Sequence, residues 1–279
     1  MIEKNRSFGL SVAHSCAELG YARSSFYKAL KQKKKKENVQ TTVINQVLTI
    51  RQEMPKIGCR KLHYLMRKTL LSSGHISLGR DRLFALLREK NLLIKRRRKY
   101  AVTTNSNHAF KVYKNLILGE EIKYANHVWV SDITYVRTQQ GFCYVSLITD
   151  LYSRKIVGYH ASRSLELEGC IIALRMALKQ GQPEIHHSDR GSQYCSHAYT
   201  EILKDQGTKI SMAQAGNCYE NAVAERINGI LKQEFNLSAI FTHLAHVRKA
   251  LEQATTIYNT KRPNWSLGLK MPNEVFNAA

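Results

Sequence analysis

Past residue 119 the chain carries β-rich runs in an order that few folds accommodate. Three of them, 128–136, 142–150 and 155–161, follow one another with short joints, the first joint holding Gly141. Runs rich in β-branched and aromatic residues with such joints predict an antiparallel meander. A helical pattern over 165–179 follows, with Leu165, Leu167, Ile171, Ile172, Leu174, Met176 and Leu178. Then come a strand at 184–188, a helix at 196–206, a short strand at 210–212 and a long helix at 217–235. A meander followed by strand–helix alternation predicts an α/β domain, a mixed five-stranded sheet with helices on both faces.

Three carboxylates sit where those elements end or pack. Asp132 closes His-Val-Trp-Val-Ser-Asp, Asp189 closes Glu-Ile-His-His-Ser-Asp, and Glu225 lies in Ala-Val-Ala-Glu-Arg, with 35 residues between it and Asp189. The first two end apolar strands and the third lies within a helix, so a sheet and a packed helix can converge them. Hard divalent cations prefer carboxylate oxygens, and a pair of such ions clamps the attacking and leaving oxygens in phosphoryl transfer. Glu220 lies three residues after Asn217, a capping-box spacing that gives it a structural task and leaves Glu225 as the better ligand.

A polynucleotide substrate fits the charge. The formal net charge is +22, a surplus that marks an electrostatic footprint for nucleic acid. Residues 1–118 hold 26 Lys and Arg against 6 Asp and Glu, whereas 119–279 hold 17 against 15. The first part therefore reads as a binding arm and the second as a globular enzyme. No apolar stretch approaches a membrane span, and the polar start Met-Ile-Glu-Lys-Asn-Arg is not a signal peptide, so the expected location is the cytoplasm. Cys16, Cys59, Cys143, Cys170, Cys195 and Cys218 show no paired spacing and read as reduced, buried thiols. Cys59 and His63 could share a helix face, but no second pair completes a zinc site.

The basic part reads as helical. Residues 11–30 have helix-turn-helix spacing, with a turn at Gly20 and a second helix capped by Ser24 or Ser25. On that second helix Arg23, Ser24, Ser25 and Lys28 are the candidates for reading DNA. Lys31 to Lys36 read as a basic linker. From 41 to 92 apolar residues recur at helical spacing, as in Leu62, Leu65, Met66, Thr69, Leu70 and again Leu83, Leu86, Leu87. Arg60, Lys61, Arg67, Lys68, Arg80, Arg82 and Arg88 decorate the polar faces, and Lys95, Arg96, Arg97, Arg98 and Lys99 follow; these are candidate phosphate contacts. The domains read as 1–36, 37–118 and 119–279.

Four long motifs in order carry a family resemblance. They are Trp129-Val-Ser-Asp132-Ile-Thr-Tyr, Asp150-Leu-Tyr-Ser-Arg-Lys-Ile-Val-Gly158, His187-Ser-Asp189-Arg-Gly-Ser-Gln-Tyr194 and Gly216-Asn-Cys-Tyr-Glu-Asn-Ala-Val-Ala-Glu225. With Gly58 to His63 and the closing Tyr258-Asn259, Arg262-Pro263, Leu267-Gly268 and Pro272, the chain resembles the larger protein of the insertion-sequence-3 family of bacterial transposases, relatives of retroviral integrases.

The resemblance implies a ribonuclease-H-like core with Asp132, Asp189 and Glu225 as catalytic acids binding two Mg²⁺ or Mn²⁺. It also implies a basic residue seven positions after the glutamate, where Lys232 stands. Glu225, Asn228, Gly229 and Lys232 share one helix face, so Lys232 is expected on DNA, the alternative being a solvated lysine. His187, Gln193 and Asn228 are candidates for supporting the acids, with packing as the alternative. Asp150 reads as a turn residue, and His243 and His246 as surface or packing residues. Glu220 and Asn264 stand where the family often has aspartate and histidine, outside the acidic triad.

The implied reaction is DNA cleavage at the element's ends and joining of the freed 3′ hydroxyl to another strand. Implied partners are double-stranded DNA (terminal repeats and target), further copies of the chain, and a smaller upstream-encoded helix-turn-helix protein or fusion. No heptad zipper opens the sequence, which leaves two alternatives, a full enzyme and the downstream half of such a fusion. Two rivals stay open: a retired DNA-binding protein that keeps the fold, and a nuclease that only cuts.

Overall fold

The computed structural model describes residues 11–72, 78–94, 110–214 and 221–278. The runs Lys95 to Lys99 and Gly216 to Glu220, with Asn217 and Cys218, lie outside the described residues, as do the side chains of Lys68 and Leu70. The chain divides into two compact units, one built from residues 1–52 and 58–94, the other from 53–57 and 95–279.

In the first unit, helix α1 (Val12–Glu18) starts at Ser11, whose hydroxyl accepts from the His14 amide at 3.1 Å. Gly20 turns the chain at φ 69°, a left-handed conformation natural to glycine. Helix α2 (Arg23–Glu53) then runs for 31 residues. Its first turn begins before either serine, because the Ala22 carbonyl accepts from Ser25 and Phe26 amides. Ser24 and Ser25 are therefore exposed residues of the first turn rather than caps.

The expected linker at Lys31 to Lys36 is instead the middle of α2. Lysine and glutamine are good helix formers and no glycine or proline interrupts them, so the run propagates the helix. Helices α3 (Cys59–Ser72) and α4 (Arg80–Glu89) bury Leu62, Met66, Leu83, Leu86 and Leu87. Arg51 Nη1 donates to the Leu92 carbonyl at 2.8 Å, tying α2 to the end of α4. His63 Nε2 lies 2.9 Å from the Leu78 carbonyl, tying α3 to the segment before α4.

The second unit is a five-stranded sheet. Its strands are β1 (Val128–Thr138), β2 (Gly141–Asp150), β3 (Ile156–Ser162), β4 (Ile185–Ser188) and β5 (Lys209–Met212), in spatial order β3-β2-β1-β4-β5. The first three pair antiparallel, and β4 pairs parallel with both β1 and β5. Helices α5 (Leu167–Leu178), α6 (Ser192–Cys195) and α7 (His197–Asp205) pack one core with Trp129, Ile148 and Val157. Helix α8 (Ala222–Glu234) closes a smaller cluster through Ala224 against Val128, Val130 and Ile185.

Gly158 fixes how closely α5 lies on β3, since a Cβ there would stand 2.2 Å from the Ala173 carbonyl oxygen. Helix α9 (Leu244–Thr260) seals the β3 edge. The Asn259 amide accepts from the Ile156 N–H at 3.0 Å and donates to its carbonyl at 2.9 Å, and Arg248 Nε donates to the Ala161 carbonyl at 2.9 Å. A short 3₁₀ turn (Trp265–Leu267) and α10 (Pro272–Asn277) end the described chain.

Arg262, at 2% exposure, donates twice to Glu234 at 2.8 Å, joining the segment after α9 to the end of α8. Cys16, Cys59, Cys143, Cys170 and Cys195 are free and buried, as their unpaired spacing implied. No helix among the described residues is long and apolar enough to cross a membrane.

Candidate active site

Register places the two aspartates. β1 and β4 run parallel with Ser131 opposite Ser188, so Asp132 and Asp189 are the next residues on adjacent strands and stand side by side. Both are half-buried. Glu225 is exposed in the first turn of α8, where the helix dipole favours an acid.

Helix α8 reaches β1 through Asn228, whose Nδ2 donates to Asp132 Oδ2 at 2.7 Å. Asn228 lies three residues after Glu225, one turn along the same face. The second Asp132 oxygen accepts from the Ile133 amide at 2.9 Å, and Asp189 Oδ1 accepts from the Gly191 amide at 3.0 Å.

Burial and then the Asp189 charge push the Asp132 carboxyl up to about 7; the Asn228 hydrogen bond opposes this, and the Glu225 charge raises it further. A cation beside Asp132 would relieve the repulsion that helps raise its pKa. Among the described residues no three His, Cys, Asp or Glu side chains converge to chelate one ion. The arrangement is thus open, with Asp132 in electrostatic reach of both other acids.

The strand carrying Asp132 is held from beneath. Ser131 Oγ lies 2.7 Å from His186 Nε2, and the Tyr199 hydroxyl lies 3.1 Å from the same nitrogen. Burial first, and the adjacent His187 second, lower the His186 pKa to about 3. Asn221 Nδ2 donates to the Ser131 carbonyl at 3.1 Å. The sequence reading missed this Ser131–His186–Tyr199 group, whose members are remote along the chain. Asn221 had a signal, since it stands inside the motif ending at Glu225.

His186 has a consequence for acid stability. Its folded pKa is depressed, so between about 3 and about 6.5 the unfolded chain binds the extra proton and stability falls as pH falls. On lowering the pH from about 7 to about 4.5, the parent is expected to lose roughly 5 °C more in melting temperature than His186→Gln, which cannot charge. Parallel pH profiles for the two proteins in calorimetry would contradict this.

The other candidates occupy varied places. His187 is fully buried and its Nδ1 lies 2.8 Å from Ser211 Oγ, joining β4 to β5. Gln193 donates through Nε2 to the Leu165 carbonyl at 2.6 Å, and its Oε1 lies against Gly191 in the Asp189 turn. Lys232 Nζ rests 4.3 Å from the centre of the Tyr135 ring. Asp150 is buried at the end of β2, accepting from Ser153 N–H and Oγ in the turn that follows and from Asn126 N–H. Arg23, Ser24, Ser25, Lys28 and Arg60 are exposed in the first unit, whereas Lys61 is buried. Of the pair Arg60 and Lys61, only the arginine presents its charge to solvent. Lys95, Arg96, Arg97 and Arg98 lie outside the described residues.

A sheet in this order, with an aspartate on β1 beside one after β4, is the ribonuclease-H-like core of polynucleotidyl transferases of the DDE type. Residues 123–218 match the family described as "Integrase core domain", and residues 206–272 match a second family of that description. The chain is 37% identical over 261 residues to the insertion element IS600 uncharacterized 31 kDa protein of Shigella sonnei, covering 91% of this chain and 94% of that one. It is 38% identical over 156 residues to transposase InsF for insertion sequence IS3A of Escherichia coli, covering 54% of each. The chain thus spans nearly all of the first relative and about half of the second. Among solved structures, the HTLV-2 integrase catalytic core domain in complex with magnesium is 20% identical at a TM-score of 0.46, covering 55% of this chain and 97% of that one. The chain belongs to the insertion-sequence-3 family of transposases, with an integrase catalytic core.

Proposed function

We propose that the chain cleaves DNA at the ends of its element and joins the freed 3′ hydroxyl to DNA, with Asp132, Asp189 and Glu225 as the catalytic acids. The observation that carries this reading is the electrostatic coupling of Asp132 to both other acids on an integrase-core register. Asp132, Asp189 and Glu225 are the residues that would hold Mg²⁺ or Mn²⁺, two ions on this reading. Such ions supply activation of the attacking oxygen and stabilisation of the leaving one.

The chain's own groups do the positioning. Asn228 holds the Asp132 carboxylate in orientation, Gly191 N–H holds that of Asp189, and Lys232 supplies a cation for the DNA backbone. Water attacks a phosphodiester in line, displacing the 3′ oxygen, which takes a proton. That 3′ hydroxyl then attacks a phosphodiester of another strand and displaces its 3′ oxygen, so the number of phosphodiester bonds is conserved in the second step.

Within this reading the first unit grips duplex DNA through Arg23, Ser24, Ser25, Lys28 and Arg60, with Lys95 to Arg98 adding phosphate contacts. Several copies act together on paired ends, with or without a smaller helix-turn-helix protein encoded upstream, in the bacterial cytoplasm at the nucleoid. The test uses duplexes bearing the element's own ends. Mg²⁺ or Mn²⁺ is expected to support both cutting and joining, and Ca²⁺ binding alone, because its longer and looser coordination misplaces the in-line geometry. Full activity in excess chelator would overturn the metal reading, and cutting without joined product would make the protein a nuclease.

A further inference from the structure

Cations and aromatic rings cluster around β1 and β2 beyond Asp132. Tyr135, three residues past Asp132, carries Lys232 over its ring at 4.3 Å. Tyr135 meets Phe142 edge-on, with ring centres 5.3 Å apart, and Arg137 sits 5.5 Å from the Phe142 centre. Phe142 is 46% exposed on the second strand position after the hairpin turn, where a large apolar ring gains little for the fold.

Beside it lies a pocket of about 130 Å³ lined by Thr138, Gln140, Phe142, Cys143, Arg163 and Leu244. That is well under the roughly 300 Å³ of a typical small-molecule site, so it suits one planar ring rather than a whole cofactor. Its walls differ in kind: an aromatic face from Phe142, an amide from Gln140 and a guanidinium from Arg163. Gln140 and Arg163 are exposed. At about 3.3 Å per residue, the hairpin tip lies roughly 20 Å along β1 from Asp132.

We propose that this hairpin is a track for an unpaired DNA strand leaving the acids, with Lys232, Arg137 and Arg163 along its phosphates and one base stacked on Phe142 in the pocket. Proteins that hold single strands combine a cationic path with exposed rings, because every base offers a π-face whatever its sequence. A duplex offers no free face, so the track selects opened DNA. The inference rests on the proposed DNA chemistry, but its test needs neither metal nor cleavage.

The full-length protein is titrated in EDTA against two fluorescein-labelled probes of one sequence, a blunt duplex and the same duplex with an unpaired four-nucleotide 3′ tail carrying 2-aminopurine. The parent is expected to prefer the tailed probe by roughly five- to a hundredfold, the range for stacking one base, and to quench the 2-aminopurine. Phe142→Ala should reduce that preference to within about twofold while blunt-duplex affinity is unchanged, and Phe142→Trp should retain it. Equal loss on both probes, or a preference that survives Phe142→Ala, would overturn the track. Because Asp132→Asn removes cleavage but not this preference, failure of the metal reading and failure of the track give different results.

Discussion

Replacing Asp132 by Asn, Asp189 by Asn or Glu225 by Gln is expected to slow strand cleavage on the order of a thousandfold, the several kcal/mol that metal-assisted charge stabilisation supplies. Each change removes one charge and almost no volume. DNA affinity should hold, since the exposed cations of the first unit are untouched. For Asp132→Asn the metal-free protein should also melt higher, not lower. An amide removes the cost of burying a charge, the largest cause of the raised Asp132 pKa, and with it the repulsion from Asp189 and Glu225. Gel assays of cleavage, with anisotropy for binding and calorimetry for melting, separate these effects. Cleavage within tenfold of the parent in any one variant would sink the assignment of that acid.

Arg262→Met is expected to be among the most destabilising single changes in the second unit. Arg262 is 2% exposed and gives Glu234 two hydrogen bonds of 2.8 Å, while the Glu234 side chain is only 17% exposed. Removing one partner strands a buried charge, which costs on the order of 3–5 kcal/mol. For a unit of this size that lowers the melting temperature by roughly 10 °C. Adding Glu234→Leu to Arg262→Met should recover much of the loss, because the stranded charge goes with it. A single variant that melts within about 2 °C of the parent would show that the pair contributes little.

Much of the sheet was legible because its strands are short β-rich runs between clear turns. The chain order of strands and helices past residue 119 followed from that pattern, and so did the placing of Asp189 just past a strand end; Asp132, expected to close its strand, instead lies inside β1, which runs on to Thr138. Local pattern misled at α2, where a run of lysines looked like a linker although nothing in it breaks a helix. Helix α9 went unread even though Val247, Leu251, Ala254 and Tyr258 form a buried stripe at helical spacing. The Ser131–His186–Tyr199 group was not legible at all. Its members are remote along the chain, and only the parallel register of β1 and β4 brings the serine to the histidine.

The amide clasp of Asn259 on Ile156 and the guanidinium of Arg248 on Ala161 bear on how the protein survives being made. A strand at the margin of a sheet is a template on which other chains can polymerise, and natural proteins blunt such margins. Here the blunting is done by a helix that comes late in the chain, with 103 positions between Ile156 and the asparagine that clasps it. Until that helix emerges from the ribosome, β3 has an unguarded flank. A chain cut short before residue 244 is therefore expected to leave β3 open to pairing with other chains, and to be more prone to aggregate than the full chain.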